Sequence, residues 1–437
     1  MDILILYTNN PIHATGIIAF DLFRELQKRG HHVKLLVNQY DPAYPEGIVS
    51  METYYLFWKK KILNKIKRRF GLNKGKITDP KYHFHDLNEQ KVYYRTSAIL
   101  KKANFKPEAI IVLFSKDFIN AKNIYELHQK TSAPVYLVMY DMAPLTGGCH
   151  YAWECKRYQN NCGNCPGLFS SDPLDITFEN LQYKKKYLAR TDIRIVIGSE
   201  WQYRQVKESA LFKNNTVHKT LAAFNKDIFK PVSKEFIRKK MGIPHERKVI
   251  FFGAYRLFDE RKGMEYLFDA FRKLKDLIST NPALDNNVLL LVAGNGFDKI
   301  KGNLPFSYFN MGMLDSPYGI ASAYQAADIF VCPSLEDSGP SMINQSIMCG
   351  TPVVSFEMGV ALDLVFNGKT GYRAKLKDSK DLAQGMYNIL TMPVEEYEIV
   401  QNNCRKLALD LFEPTVNIEN WLQILNGKNE KASYYTV

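Results

Sequence analysis

The chain has 437 residues, of which 46% are hydrophobic and 13% aromatic, and its formal net charge is +13. This length suits two domains, and the composition excludes an intrinsically disordered chain. The longest uncharged apolar runs are well short of the roughly 18 residues that a membrane span needs. The start, MDILILYTNN, lacks the basic region and long apolar core of a signal peptide. We therefore predict a globular, cytoplasmic protein.

The first 200 residues alternate short apolar runs with stretches of helical period. The apolar runs predict strands over 3–7, 33–37, 109–114, 135–140 and 193–199, and the first helical stretch covers 16–30. Continuous apolar strands separated by helices are typical of a parallel sheet that is covered on both faces.

The second half repeats this pattern. It predicts strands over 248–255, 287–296, 328–334 and 352–357, and helices over 262–278, about 340–349 and 414–425. A polar stretch at 224–236 is the candidate linker. The sequence thus predicts an α/β protein of two doubly wound domains, 1–225 and 226–412, followed by a C-terminal segment, 413–437, that can pack back on the N-terminal domain.

The stretch CPSLEDSGPSMINQSIMCGT follows the predicted strand at 328–334. Open parallel sheets bind ligands beyond the carboxyl ends of their strands. The backbone N–H groups of Ser341 and Met342 would be unpaired at a helix start there and would form a site for phosphate. Glu336, just before it, could accept hydrogen bonds from sugar hydroxyls. The alternative is an ordinary solvated helix start with Asp337 and Ser338 as caps.

The order of these features resembles the C-terminal signature of the retaining glycosyltransferases of family 4. The matching residues are Pro333, Ser334, Glu336, Gly339, Cys349, Gly350, Pro352, Val353, Gly359, Asp363, Gly368, Thr370 and Gly371. Upstream, FFGAYRLFDERKG and LLLVAGNG look like further elements of the family. The resemblance is strong over 195–430 and looser before it. It implies the GT-B fold, in which two Rossmann-like domains face each other across a cleft.

The resemblance also implies where a sugar-nucleotide donor binds. Glu336 would contact the hydroxyls of the transferred sugar, and the helix start would bind the diphosphate. The second acid of the family's E-x7-E motif, which holds the ribose, is replaced here by Asn344. The remaining donor-binding candidates are Gly16, Gly253, Asn295, Gly339, Ser341 and Met342.

A basic element is expected to neutralise the diphosphate leaving group. Lys262 aligns with the family's lysine, but Leu257 stands where the family's arginine is expected. We favour Arg256 for that role because it directly follows the predicted strand, and Arg261 is the alternative. Preorganised cations can stabilise the charge of a departing nucleoside diphosphate without a metal. Ordinary surface charges before a helix are the other interpretation.

Acceptor-binding residues are expected in the N-terminal domain. Asp141 follows a strand and could orient the acceptor, or it could cap the turn at 147–148. Tyr140 replaces the histidine that related sequences carry before this acid. His13 and Thr15, in the glycine-poor loop after the first strand, are further acceptor-binding candidates.

Four cysteines lie within seventeen residues as C-x5-C-x6-C-x2-C: Cys149, Cys155, Cys162 and Cys165. The C-x2-C end resembles a zinc knuckle, although the other spacings match no standard zinc module. A structural zinc, free thiols and disulfides are the alternatives, and the reducing cytosol disfavours disulfides. Four thiolates would leave no open position on a metal, so we expect no catalytic cofactor.

The excess charge is local. Nine basic residues and no acid lie between Lys59 and Lys76, and the rest of the chain is about +4. Within the basic segment 56–76, apolar residues recur at helical spacing, which suits an anionic membrane surface. A solvated helix over the core is the alternative. Nucleic acid is not expected, because no recognised binding fold accompanies the charge.

Together these features predict a retaining, metal-independent glycosyltransferase. It would move a hexose-type sugar from a nucleoside-diphosphate sugar to a glycan or lipid-linked acceptor, in bacterial surface polysaccharide biosynthesis, in the cytoplasm or peripherally at the membrane. The alternative is a non-catalytic GT-B binding module or partner subunit, because Asn344, Tyr140 and the first loop depart from the family pattern.

Overall fold

The computed structural model describes residues 1–11, 16–53, 55, 58, 59, 62, 78–84, 87–339 and 341–427. The chain divides into two compact units. The first comprises Met1–Ile197, Gln202–Lys219 and Asn420–Val437, and the second comprises Gly198–Trp201 and Thr220–Glu419. Within the described residues, no helix combines the length and the apolar character needed to cross a membrane.

The described part of the first unit is built on a seven-stranded parallel sheet. Its strands are β1 (Asp2–Tyr7), β2 (His32–Val37), β3 (Ile48–Ser50), β4 (Ala109–Phe114), β5 (Val135–Val138), β6 (Ile193–Ile197) and β7 (Val217–Lys219). The helices are α1 (Ile17–Lys28), α2 (Thr96–Ala103), α3 (Ala121–Thr131), α4 (Ile176–Leu188) and α5 (Glu200–Glu208). The strand order, β3-β2-β1-β4-β5-β6-β7, reverses between β1 and β4, which is the doubly wound arrangement.

The described part of the second unit has a six-stranded parallel sheet of order β10-β9-β8-β11-β12-β13. Its strands are β8 (Lys248–Arg256), β9 (Val288–Asn295), β10 (Ser307–Asn310), β11 (Ile329–Cys332), β12 (Val353–Phe356) and β13 (Gly371–Ala374). The helices are α6 (Lys234–Met241), α7 (Met264–Ile278), α8 (Pro282–Asp285), α9 (Pro317–Ala326), α10 (Ser341–Met348), α11 (Ala361–Leu364), α12 (Ser379–Leu390), α13 (Val394–Phe412) and α14 (Pro414–Leu425). In this sheet the direction of the strand order reverses between β8 and β11.

Burial on both faces explains the continuous apolar strands. Residues Ile3, Leu4, Ile5 and Leu6 of β1 are all fully buried, although successive side chains point to opposite faces. This inner strand is therefore apolar on both sides, as helices on both faces require. The predicted α/β class with two doubly wound sheets is confirmed.

The chain first enters the second unit at Gly198. The segment Gly198–Trp201, which directly follows β6, is part of the second unit. Within that unit, Ser199 Oγ donates a hydrogen bond to the Ser338 carbonyl at 2.9 Å, and the Glu200 N–H donates to Asp363 Oδ2 at 3.0 Å. These polar contacts are made by side chains, so the apolar pattern gave no sign of them.

The end of α14 belongs to the first unit. The Tyr136 hydroxyl lies 3.4 Å and 3.3 Å from the carbonyl oxygens of Ile424 and Leu425. The same hydroxyl accepts a hydrogen bond from Arg194 at 2.9 Å. The last carbonyls of a helix lack partners within the helix, and Tyr136 on β5 supplies one.

A buried ionic cluster fixes the amino-terminal side of the second sheet. Asp328, just before β11, lies 2.8 Å from Lys234 and 2.8 Å from Arg238, both on α6. It also accepts a hydrogen bond from the Val249 N–H of β8 at 2.7 Å. Burial alone would raise the pKa of Asp328, but the charges of Lys234 and Arg238 outweigh it and hold the pKa below its ordinary value.

Replacing Asp328 with Asn should reduce the free energy of unfolding by about 3 kcal/mol, because two cations lose their buried counter-charge. Because the folded-state pKa of Asp328 is depressed, its contribution is present above the unfolded pKa of about 3.9 and is lost as pH falls through the folded value. Denaturant unfolding of both proteins from about pH 7 down to about pH 2 measures both effects.

The control is Asp298→Asn, because Asp298 is 87% exposed and pairs with Lys301 on the surface. It should leave the unfolding midpoint unchanged. Equal stability of the two variants would show that the Asp328 cluster contributes nothing.

Candidate functional site

Two neighbouring segments at the carboxyl edge of the second sheet form the candidate site. The basic turn, residues 257–263, follows β8, and the acidic loop, residues 333–339, follows β11. Because β8 and β11 are paired in parallel, both segments leave the sheet at the same edge. The two are joined by a backbone hydrogen bond from the Leu335 N–H to the Arg261 carbonyl at 2.8 Å.

Gly263 ends the basic turn with a positive φ of 62° and begins α7. A Cβ at this position would lie 2.0 Å from the Pro333 carbonyl oxygen of the acidic loop. Glycine is thus required twice, by the backbone conformation and by the close approach of the loop. The predicted helix over 262–278 begins at Met264 instead, because residues 260–262 form a 3₁₀ turn capped by Asp259.

The acidic loop and the basic turn meet through an ion-pair cluster. Lys262 Nζ lies 2.6 Å from Asp337 Oδ2, and Arg261 Nη1 lies 3.4 Å from the same oxygen. Arg261 also contacts Asp259 at 3.2 Å and donates to the Glu336 carbonyl at 3.2 Å. Burial alone would raise the pKa of Asp337, but Lys262 and Arg261 outweigh it and hold the pKa below its ordinary value.

The two residues of the predicted E-x7-E pattern are both buried. Glu336 is 6% exposed and Asn344, on α10, is 3% exposed. Among the described residues, Asn344 Nδ2 has no hydrogen-bond partner. A buried amide donor without a partner is costly, so this nitrogen is suited to a ligand oxygen.

The other predicted donor residues lie around the same edge. Ser341 and Met342 are half-buried at the start of α10, and the exposed Gly339 donates its N–H to Asp337 Oδ1 at 3.3 Å. Pro340 lies outside the described residues. Gln345, on the next turn of α10, is engaged by the Tyr324 hydroxyl at 3.1 Å and is therefore a packing residue.

Of the two candidate arginines, Arg261 is the one in contact with the Lys262 cluster. Arg256 closes β8 opposite Asn295 of β9, and both side chains are exposed. Leu257, where the family's arginine was expected, is fully buried. Gly253 lies inside β8, where a Cβ would come within 2.7 Å of the Ala293 carbonyl oxygen. Gly253 therefore serves strand packing.

In the first unit, Asp141 forms a buried pair with His150. Asp141 Oδ2 lies 2.6 Å from His150 Nδ1, with side-chain exposures of 7% and 4%. Asp141 Oδ1 accepts the Ala143 N–H at 2.7 Å, which fixes the carboxylate. The sequence showed His150 only as a neighbour of the cysteines, because eight residues of largely irregular chain lie between it and Asp141.

This pair lines a cavity of about 80 Å³ at the carboxyl ends of β4 and β5. Tyr140 and Lys184 also line it. Lys184 donates to the carbonyls of Ala143 and Thr146 at 2.7 Å and 2.9 Å, and burial raises the pKa of Tyr140. The cavity has room for several water molecules and offers both charged and apolar walls.

The glycine-poor first loop is only partly described. Gly16 begins α1, and a Cβ there would lie 2.2 Å from the Asn10 carbonyl oxygen, so the loop closes tightly on the helix start. His13 and Thr15 lie outside the described residues, as does most of the basic segment 56–76.

The zinc prediction is not supported. Cys149, Cys155, Cys162 and Cys165 line one small cavity of about 20 Å³, and all are free. Yet within the described part of the chain, no three His, Cys, Asp or Glu residues are placed to hold a metal ion. Burial raises the pKa of the Cys162 thiol to about 11 and also raises that of Cys149.

Comparison with solved structures identifies the fold. Sucrose-phosphate synthase from Thermosynechococcus elongatus superposes with a TM-score of 0.68 at 17% identity, covering 98% of each chain. HepE of Anabaena, solved with UDP-glucose, gives a TM-score of 0.62 at 14% identity, covering 98% of this chain and 100% of HepE. The chain has the fold of these proteins, GT-B.

Residues 233–407 match the family model described as glycosyl transferases group 1. An uncharacterized glycosyltransferase of Methanocaldococcus jannaschii is 21% identical over 275 residues, which is 61% of this chain and 66% of that protein. The chain spans half or less of the length of the other curated relatives it matches.

Replacing Gly263 with Ala should lower the free energy of unfolding by about 2 kcal/mol or more, because the new methyl group meets the Pro333 carbonyl at a positive φ. Chemical denaturation monitored by tryptophan fluorescence measures this. Gly302→Ala is the matched control, since a Cβ at Gly302 meets nothing within 4 Å. Equal unfolding midpoints for the two variants would contradict the close approach of the acidic loop.

Proposed function

We propose that this protein is a retaining glycosyltransferase. It transfers a hexose-type sugar from a nucleoside-diphosphate sugar to a glycan or lipid-linked acceptor in bacterial surface polysaccharide assembly. The observation that carries the proposal is the convergence, at one sheet edge, of Lys262 and Arg261, the start of α10, buried Glu336 and the unpartnered amide of Asn344.

The proposed donor site has a phosphate end and a sugar end. Lys262 and Arg256 hold the diphosphate together with the N–H groups of Ser341 and Met342, and Arg261 supports them. Glu336 accepts hydrogen bonds from hydroxyls of the donor sugar. Asn344 donates its buried amide to the ribose, in place of the family's carboxylate.

In the proposed reaction, the acceptor hydroxyl attacks the anomeric carbon on the face that the leaving group departs from. The bond from that carbon to the phosphate oxygen breaks, the new glycosidic bond forms, and the hydroxyl proton passes to the departing phosphate. The cations and helix N–H groups stabilise the growing negative charge, which is the task of a metal ion in other transferases.

The acceptor is proposed to bind to the first unit. The cavity beside Asp141 and Tyr140 supports this, since a fixed carboxylate can orient a hydroxyl by accepting its hydrogen bond. His13 and Thr15 remain acceptor-binding candidates. The basic segment 56–76 is proposed to bring the protein to an anionic membrane surface, where lipid-linked acceptors are found.

The second candidate function is a non-catalytic GT-B binding module. Two residues favour it: Asn344 replaces an acid, and Asp337 already forms ion pairs with the cations of the proposed phosphate end. The two functions differ in turnover, because a binding module would bind a nucleotide and release nothing.

Release of the nucleoside diphosphate from a panel of UDP-, GDP- and ADP-sugars tests the proposal. Bacterial membranes serve as the acceptor source, and EDTA is present throughout. We expect release from one donor, in spite of the chelator. Binding of UDP or GDP without release from any donor, across several membrane preparations, would establish the binding module instead.

Lys262→Met should lower kcat by about 100-fold, because one preorganised cation no longer stabilises the leaving group. Glu336→Ala should lower turnover comparably through loss of its contacts to the donor sugar. Lys301→Met is the matched control, since Lys301 is an exposed lysine of the same unit that pairs with Asp298. Full activity of Lys262→Met or Glu336→Ala would disprove the assignment of the site.

A further inference from the structure

We propose that Asp337 is an internal counter-anion of the phosphate end, which the diphosphate must displace from Lys262 and Arg261 in order to bind. Asp337 thereby weakens the grip on the nucleoside diphosphate and speeds its release. This inference rests on the proposed function, because it assigns a regulator of affinity to the same donor site.

The geometry places both oxygens of the carboxylate where an anionic ligand would lie. Oδ2 contacts Lys262 at 2.6 Å and Arg261 at 3.4 Å. Oδ1 accepts the N–H of Gly339, just before α10, at 3.3 Å. Cations and the N–H groups before a helix are the groups that bind phosphate in proteins. Asp337 therefore uses the same donors that a diphosphate needs.

The charges around this point are already balanced. The ion-paired groups are the cations Lys262 and Arg261 and the carboxylates Asp259 and Asp337. Glu260 is a further acid of the basic turn. Glu336 adds a further acid next to Asp337, and the Cys332 thiol lies nearby at the end of β11. A diphosphate entering this cluster would meet a compensated site and not a positive one.

Protonation does not relieve the competition at neutral pH. Burial alone would raise the pKa of Asp337, but Lys262 and Arg261 hold it below its ordinary value. The carboxylate therefore stays ionised and remains close to the incoming phosphate, where like charges repel strongly because little water separates them.

The rival interpretation is that Asp337 positions Lys262 for the phosphate. The two roles predict opposite changes in nucleotide affinity when Asp337 is replaced. Asparagine has nearly the same shape as aspartate but only one acceptor oxygen, so Asp337→Asn removes the charge and keeps the hydrogen bond from the Gly339 N–H. A counter-anion then gives tighter binding on substitution, whereas a positioning group gives weaker binding.

Calorimetric titration of the full-length protein with UDP, GDP, ADP and inorganic pyrophosphate tests this inference. Asp337→Asn should lower the Kd of the bound nucleotide, and of pyrophosphate, by about 10-fold. Asp337→Ser is a second variant that lacks the charge, in case the first does not fold. Asp298→Asn removes an exposed acid of the same unit and should change neither Kd.

A double-mutant cycle shows whether the effect acts through the lysine. In the Lys262→Met background, Asp337→Asn should improve binding by no more than about 2-fold, because the cation that it frees is absent. Steady-state kinetics should show a lower KM for the donor in Asp337→Asn, and a lower kcat where release of the nucleoside diphosphate limits turnover.

The outcomes separate the two proposals. Unchanged or weaker nucleotide binding by Asp337→Asn overturns the counter-anion, while the proposed function stands. Tighter pyrophosphate binding with no nucleotide bound by any variant supports the counter-anion and refutes the donor site. No binding of either probe by any folded variant overturns both.

Discussion

The contact of Gly263 with the Pro333 carbonyl sets the geometry of the candidate site. It lets the turn after β8 lie against the loop after β11, and the hydrogen bond from the Leu335 N–H to the Arg261 carbonyl keeps the two segments in register. A side chain at position 263 would separate them. Because this contact is between backbones, the placement of two cations beside two acids does not depend on flexible side chains alone.

At the amino ends of the strands, the same sheet is fixed by a buried ion-pair cluster. Asp328 ties α6 to the start of β11 and to the Val249 N–H of β8, so the two strands that deliver the site segments are fixed to each other at their amino ends. A site built on rigid strands loses little conformational entropy when a ligand orders it. The second unit therefore has two ionic clusters. The Asp328 cluster lies at the amino ends of the strands, and the Asp337 cluster, which we propose is opened by a ligand, lies at their carboxyl ends.

Sequence patterns predicted the long central strands because burial on both faces leaves a continuous apolar run. They missed β10, whose four residues are all exposed, and the short edge strands β3, β7 and β13. Spacing located Lys262 and Glu336, since order along the chain fixes which loop each occupies. Spacing could not show that Arg261, and not Arg256, contacts Asp337, or that Lys262 pairs with Asp337. These contacts join residues 76 and 75 positions apart in the chain. Cysteine spacing likewise gave no distances between thiols.

Asn344 and Asp337 together change the charge pattern of the site relative to the family signature. At the proposed ribose end an amide replaces an acid. Its buried nitrogen needs an acceptor, so we propose that recognition there shifts from accepting hydrogen bonds to donating one. At the phosphate end Asp337 lies on the cations. The carboxylate that the family uses to bind the ribose is absent at Asn344. The carboxylate of Asp337 is present where it would repel the diphosphate. Under the proposed function, both differences weaken the hold on a nucleotide, and both leave the Lys262 cation in place to stabilise the charge that appears as the bond to the sugar breaks.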